Sequence, residues 1–416
     1  MPLKSTFSAD TRQRLEALQA SLRKVPSAYF GKSFYIFDEN ALNQAIQAFE
    51  SHLPGVTPFY AMKANDQPEI LTVLAAAGWS FDAASAAEVE KLIALGVGGE
   101  RIILANPFKD RATLSAMDTH QVAMTTADSP EELRKLAEIF AHRAEQPRVL
   151  IRISLPSEGV QTDLGVKFGC PPQQAVSLLE QCLRLGLQPG GISFHVGTQS
   201  WNPDNYTRHF EGAFWVLKEF EARSGVKLDL IDIGGGFPWG SANGSGLEHV
   251  RPLLAAVGEM TRSAQQQGFR VQAQPGRVIC AGAYTLVSTV IGKTERNGKP
   301  WYYLSDGVYG AYNGVLYDHQ SYLFLPADRP LEADPCVSAV VCGPTCDGVD
   351  IMGHDILLPE TLTTGEHLFT PDIGAYSMVA ASQFNGFSRA PILFADQLER
   401  ETILQHPGPE PLPLAG

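Results

Sequence analysis

SFDAASAAEVEKLIALGVGGERIILA, residues 80–105, reads as a strand, an amphipathic helix and a second strand. SFDAA (80–84) and RIILA (101–105) are short and mostly apolar, as strands covered on both faces should be. The same alternation extends outward in both directions, from about residue 57 to about residue 277. It adds PFYAMK (58–63), QVAMTT (121–126), RVLIRISL (148–155), GISFHV (191–196), LDLIDI (228–233) and RVQAQ (270–274), making eight strand segments in all. Helical stretches such as PEILTVLAAAG and SPEELRKLAEIF separate them, the latter opening on Ser129, Pro130 and two glutamates, which is helix-start chemistry. Eight βα units predict a closed parallel TIM-type (β/α)8 barrel in an α/β chain. An open doubly wound sheet is the competing architecture. The count of eight and the lack of an early GxGxxG turn favour the barrel.

Beyond residue 278 the rhythm changes. AYTLVSTVIGKTE, WYYLSDG, VSAVVCG and EHLFTPD read as strands joined by Gly, Pro and Asp turns, predicting a C-terminal, mostly antiparallel β domain. The predicted organisation is an N-terminal segment (1–32) packing on the β domain, a barrel (33–277), the β domain (278–405) and a Pro-rich disordered tail (406–416).

Composition narrows the function classes. The 416 residues are 44% hydrophobic, enough for a large core, and the net charge of −13 disfavours nucleic acid as a partner. The opening MPLKSTFSADTRQRLEALQA has no apolar core of signal-peptide length, and no stretch reaches the length of a membrane span. Six cysteines without CxxC spacing predict neither a metal site nor a disulfide framework, and a cytoplasmic location follows most simply.

In such a barrel the strand C-terminal ends carry the chemistry. Lys63 ends the first strand, Asp82 lies on the second, Arg152 on the fifth, and His195 on the sixth, which runs into Thr198. Gly234–Gly236 follow the seventh strand, and Gln274, Pro275, Gly276 and Arg277 end the eighth. A lysine on an apolar strand is desolvated, which suits an amine to attack a carbonyl. Three glycines let backbone N–H groups approach a phosphate, and Arg277 adds a cationic fork. His195 offers a flat face. Together these describe a phosphate-bearing carbonyl cofactor such as pyridoxal 5′-phosphate (PLP). The same residues also admit plain structural roles: a glycine turn, a core histidine, an arginine ion pair.

PFYAMKAN, FDAAS, ILANPFK, VKFG, SFHVGT, DIGGGFP, QPGR, SDGVYGAYNGVLYDH, CGPTCDGVD and GAYSMVAASQFNGF resemble, in order, the motifs of the ornithine/lysine/diaminopimelate decarboxylase family, nearest to the ornithine type. The resemblance spans roughly residues 30 to 390. It implies a PLP-dependent decarboxylase with an alanine-racemase-like barrel, acting in polyamine-type metabolism. Lys63 resembles the Schiff-base lysine, and His195 the residue that stacks on the pyridine. Asp82 and Arg152 match positions beside the cofactor. Thr198, Gly235, Gly236, Gly276, Arg277 and Tyr376 match phosphate-binding positions. Cys346 resembles the cysteine that protonates the carbanion. Asp318 and Asp347, with Tyr317 beside them, resemble the grip on a substrate's distal ammonium. The family resemblance also implies a homodimer with shared active sites, Cys346 and Asp347 entering the partner's site and Lys167 pairing with Asp350 across the chains.

One position departs from the family pattern. Gln274 stands where the family has a glutamate before Pro-Gly-Arg, the residue that keeps the pyridine nitrogen protonated. A neutral amide cannot hold that proton by its own charge. The leading reading is decarboxylation of a basic L-amino acid. Decarboxylation of a larger amino-acid conjugate, as in siderophore or antibiotic assembly, is a second reading, and an inactive regulatory homologue a third. The segment 155–165 (LPSEGVQTDLG) reads either as a mobile lid or as an exposed loop.

Overall fold

The computed structural model of the chain describes residues 9–22, 29, 31–240, 246–329 and 335–395. The predicted tail at 406–416 and much of 1–32 lie outside the described residues. The described residues divide into two compact units. One comprises those of Met1–Asn43, Gly240–Gly246 and Ala281–Gly416, the other Gln44–Trp239 and Leu247–Cys280.

The first strand, β1 (Phe34–Phe37), belongs to the first of these units. The next eight build the second unit: β2 (Thr57–Ala61), β3 (Ser80–Ala83), β4 (Ile102–Leu104), β5 (Met124–Ala127), β6 (Arg148–Arg152), β7 (Gln188–Ser193), β8 (Leu230–Asp232) and β9 (Arg270–Ala273). They close in that order into a parallel barrel, with β9 returning to β2 through the pairs Thr57–Gln272 and Pro58–Ala273. Helices cover the outside, among them Pro130–Phe140, whose Ser129 hydroxyl accepts from the Glu132 N–H as an N-cap. An apolar cluster of Phe59, Ile103, Met124, Leu150 and Leu230 takes one residue from each of β2, β4, β5, β6 and β8.

Two details correct the sequence reading. β2 ends at Ala61, so Lys63 lies on the 3-10 turn Met62–Ala64 rather than on the strand. Its side chain is exposed between buried Met62 and Ala64, so the protein alone does not desolvate this amine. β7 begins earlier than the apolar pattern suggested, at Gln188, and ends at Ser193. His195 therefore sits on the loop after the strand.

The first unit holds β1 together with β10 (Tyr284–Arg296), β11 (Lys299–Leu304), β12 (Leu325–Pro326), β13 (Cys336–Cys342), β14 (Ile351–Pro359), β15 (His367–Thr370) and β16 (Ile392–Phe394). Most pairs are antiparallel, while β1–β16 and β11–β13 are parallel. The long β10 serves two neighbourhoods because its register shifts between Val290 and Gly292. Its first half pairs with β1 and β15, its second with β11. A bulge of this kind lets one strand bend from one partner to another. The predicted boundary at residue 33 thus moves, since Phe34 and Ile36 join Val287, Leu325, Phe369 and Leu393 in one core. Leu15 of the helix Ala9–Leu22 enters that core, and the Gln19 side chain donates to the Pro326 carbonyl at 2.7 Å.

Candidate active site

Strand periodicity sets out the barrel end. Side chains two residues apart share a face, so Arg152 follows Leu150 and Asp232 follows Leu230 above the apolar cluster. Asp232 stands in register with Gln272, and Gln274 lies two residues further on. Asp82 comes from β3, its Oδ1 accepting from the Ala105 N–H at 3.3 Å. A layer of charge and amide thus caps an apolar plug.

The electrostatics of the layer follow from burial. Asp82 is pushed up to about 7 by loss of solvent, which Lys63 opposes and Glu88 and Asp232 reinforce. Asp232 is pushed up to about 6 by the same burial, against hydrogen bonds from Gln272, the Gly234 N–H and Gln274 and the charge of Arg152. Burial, then the cations Lys63 and Arg152, hold His195 well below the usual histidine range, so its ring is neutral at pH 7. The Gly197 N–H donates to its Nδ1 at 3.1 Å, which places the ring proton on Nε2. Arg152 lies 5.4 Å from the centre of the Phe168 ring. Burial lowers its basicity against the carboxylates of Asp128, Asp82 and Asp232.

The loops after β7, β8 and β9 meet closely. Gly236 adopts φ 95°, and a Cβ there would lie 2.5 Å from the Gly197 carbonyl oxygen. A Cβ on Gly235 would lie 2.7 Å from the Gln274 carbonyl oxygen and 3.1 Å from His195 Nε2. Only glycine fits this cradle, which leaves its backbone beside the histidine ring. Arg277, nearly buried, begins the short helix Arg277–Cys280. A flat ring bearing a phosphate and an aldehyde fits these groups: a glycine cradle and an arginine for the anion, a neutral imidazole face, and an exposed amine at Lys63.

Thr198 pairs through its backbone with the 155–165 segment. Its N–H donates to the Thr162 carbonyl at 2.9 Å, and its own carbonyl accepts from the Gln161 N–H at 2.8 Å. The Asn205 side chain exchanges two hydrogen bonds of 2.9 Å with the Glu158 backbone. The segment 155–165 is therefore pinned at both places in this state.

The remaining predicted residues belong to the first unit. Cys346 is exposed, and its thiol donates to Asn385 Oδ1 at 3.5 Å. Asp347 accepts from the Tyr309 hydroxyl at 2.6 Å, and that bond together with the Val349 N–H holds its carboxyl below the usual range. Asp318 is buried and accepts from Gln320 Nε2 at 3.0 Å, whereas its neighbour Tyr317 is exposed. Asp350 is buried against its own chain, accepting from the Val308 N–H at 2.8 Å and the Thr345 hydroxyl at 2.7 Å. Tyr376 has φ 56°, a left-handed conformation that a bulky residue adopts only where surrounding structure holds it. Asp232, Gln272 and Tyr309 were not singled out from sequence. The lone acid of LDLIDI before the glycine run was the available signal for the first.

Residues 39–281 match the family described as "Pyridoxal-dependent decarboxylase, pyridoxal binding domain". The chain belongs to this decarboxylase family. It is 38% identical over 381 residues to the lysine/ornithine decarboxylase of Selenomonas ruminantium, covering 91% of this chain and 92% of that one. Mouse ornithine decarboxylase is 34% identical, covering 91% of this chain and 84% of its own. Among solved structures, the decarboxylase is similar to the Vibrio vulnificus lysine/ornithine decarboxylase complexed with cadaverine, with TM-score 0.81, 31% identity and coverage of 93% and 99%. The arginine decarboxylase of Paramecium bursaria Chlorella virus gives TM-score 0.82 at 28% identity, with coverage of 91% and 99%. The decarboxylase is thus a PLP-dependent enzyme. Among its described residues no helix is long and apolar enough to cross a membrane.

Proposed function

We propose that this chain converts a basic L-amino acid, ornithine, lysine or a close analogue, into the corresponding amine and CO2. The observation that carries the reading is the convergence at one barrel end of the Lys63 turn, the neutral His195 ring, the glycine cradle and Arg277. Relatives named for lysine and ornithine, and a solved relative holding cadaverine, support the substrate class.

Bound PLP supplies the electron sink for the pair left behind when the bond to the carboxylate breaks. Lys63 offers the amine that meets the cofactor's carbonyl. Thr198, Gly235, Gly236, Gly276, Arg277 and Tyr376 hold its phosphate, and Arg152 and Asp82 set the charge around it. His195 presents a neutral face to the ring, which avoids stacking a cation on a protonated pyridine. Cys346 delivers a proton to Cα in place of the lost CO2. Asp318 and Asp347, with Tyr317 at the rim, receive the substrate's distal ammonium. The active form is a homodimer in which Cys346 and Asp347 serve the partner's site. A cytoplasmic location agrees with the free thiols at Cys170, Cys182, Cys280, Cys342 and Cys346.

The test is a product screen by mass spectrometry on PLP-loaded protein, offering ornithine, lysine, arginine and citryl or peptidyl conjugates. Diamines from free basic amino acids, abolished in Lys63→Ala, are expected. Amines from the conjugates alone would move the substrate class to the second reading. Protein that binds no coloured cofactor and forms no amine would support the regulatory homologue.

A further inference from the structure

Three N–H donors converge on one buried carboxylate. The Gly234 N–H reaches Asp232 Oδ1 at 2.8 Å, while Gln272 Nε2 and Gln274 Nε2 reach Oδ2 at 2.7 and 2.8 Å. An ionised carboxylate only accepts, so both glutamines must turn their NH2 groups towards it. Burial raises this acid only to about 6, so it stays largely ionised at neutral pH. Asp232 and Gln272 are buried, whereas Gln274 is half-buried and directly precedes Pro275-Gly276-Arg277. With one Nε2–H on Asp232, the amide is held in one orientation, and its carbonyl oxygen is the acceptor that Gln274 can offer to a ligand.

We infer that Asp232 is a positioning residue for the cofactor's ring nitrogen. It locks the Gln274 amide with its oxygen available to a protonated pyridine N–H, and it supplies from behind that amide the negative charge a contacting glutamate would carry. The inference rests on the PLP reading above. An amide that donates to a carboxylate is polarised, which strengthens its oxygen as an acceptor. A glutamate at 274 would bring a second carboxylate to within hydrogen-bond distance of Asp232, and such a pair retains a proton between its members. In this chain the negative charge stands behind the amide, on Asp232, and the two glutamines anchor it.

The test loads full-length protein with PLP isotope-labelled at the ring nitrogen and reads that nitrogen's NMR shift together with cofactor affinity. Wild type should show a protonated ring nitrogen at neutral pH. Asp232→Asn should shift it towards the neutral form and weaken PLP by roughly tenfold. The double variant Asp232→Asn with Gln274→Glu exchanges acid and amide, the new asparagine donating to the new glutamate and Gln272 turning its amide oxygen towards that asparagine, and it should restore both readouts. If Asp232→Asn does not fold, Gln274→Met keeps the acid but removes the amide oxygen together with the Nε2–H bond to Asp232, and should give the neutral nitrogen. A neutral nitrogen in wild type, a protonated one in Asp232→Asn or Gln274→Met, or no rescue in the exchanged pair would overturn the inference while PLP binding stands. Failure of wild type to bind PLP would instead overturn the reading beneath it.

Discussion

The backbone N–H of Ala61 donates to the carbonyl of Pro275 at 3.0 Å, joining the end of the first barrel strand to the loop that follows the last. The contact sets the Lys63 turn against Gly276, where an added Cβ would lie 2.9 Å from the Ala64 Cβ and 3.3 Å from that of Ala61. Two alanine side chains on a packed turn cannot retreat cheaply. Gly276→Ala should therefore leave the fold intact but displace the Lys63 amine from the anion cradle. The expected result is PLP affinity reduced by roughly tenfold or more in a fluorescence titration, with an unchanged far-UV circular dichroism spectrum. Wild-type affinity would show that the Lys63 turn and the Gly276 loop are not tightly coupled.

How much of this was legible beforehand depends on how local each feature is. All eight barrel strands were visible because strands covered on both faces read as short apolar runs. β7 was misplaced because it opens on Gln188-Pro189-Gly190-Gly191, residues that read as a turn. β14 was missed because Gly353, His354 and Asp355 interrupt its apolar pattern. β1 was assigned to the barrel because its partners, β10 and β16, come hundreds of residues later in the chain. Asp232 escaped notice for a related reason. Its importance lies in its register with Gln272 across two strands, and no spacing along one strand reveals that. Lys63 follows the C-terminal end of β2 instead of ending the strand, and its exposure depends on a single 3-10 turn that no apolar pattern announces.

Asp82 gives the cofactor-free protein a pH signature. Its carboxyl titrates at about 7 when folded and near 3.8 when unfolded, chiefly because burial penalises the charge. Between those values the folded state binds more protons, so this group's contribution to stability is lost as pH rises from about 4 to about 7. Asp82→Asn carries no such proton. The melting temperature of the variant relative to wild type should therefore increase between pH 5 and pH 8, by about 2 °C or more. A constant difference across that range would contradict the assigned titration.

Lys109, in the ILANPFK motif, is a structural cation rather than part of the reacting set. It is buried 3.0 Å from Glu132 and donates to the carbonyls of Asn106 and Thr126 at 2.9 and 2.7 Å. Burial pulls its amine down to about 8, against the pull of Glu132. Lys109→Met would strand these acceptors, although Lys135 would remain 2.6 Å from Glu132. The loss should be about 3 kcal/mol, read as a lower urea midpoint with an unchanged slope. PLP affinity of the folded fraction should stay at the wild-type level. A loss of affinity without a loss of stability would place Lys109 in the site after all.

Under the proposed function, Tyr309 offers a way to test substrate recognition apart from turnover. Its ring stacks on Phe384 at 4.3 Å between centroids, and its hydroxyl holds Asp347 at 2.6 Å. Tyr309→Phe keeps the stacked ring and removes only the hydroxyl, so the backbone around Cys346 should be undisturbed. Asp347 would then be free to rotate away from a position suited to the substrate's distal ammonium. The KM for a diamino acid should rise about five- to tenfold while kcat stays within about twofold, since the lost contact is made equally in ground and transition states. A matching fall in kcat would mean that the hydroxyl places Cys346 rather than the substrate's far end. An unchanged KM would remove Asp347 from the binding of that ammonium and leave Asp318 as the acid that reads it.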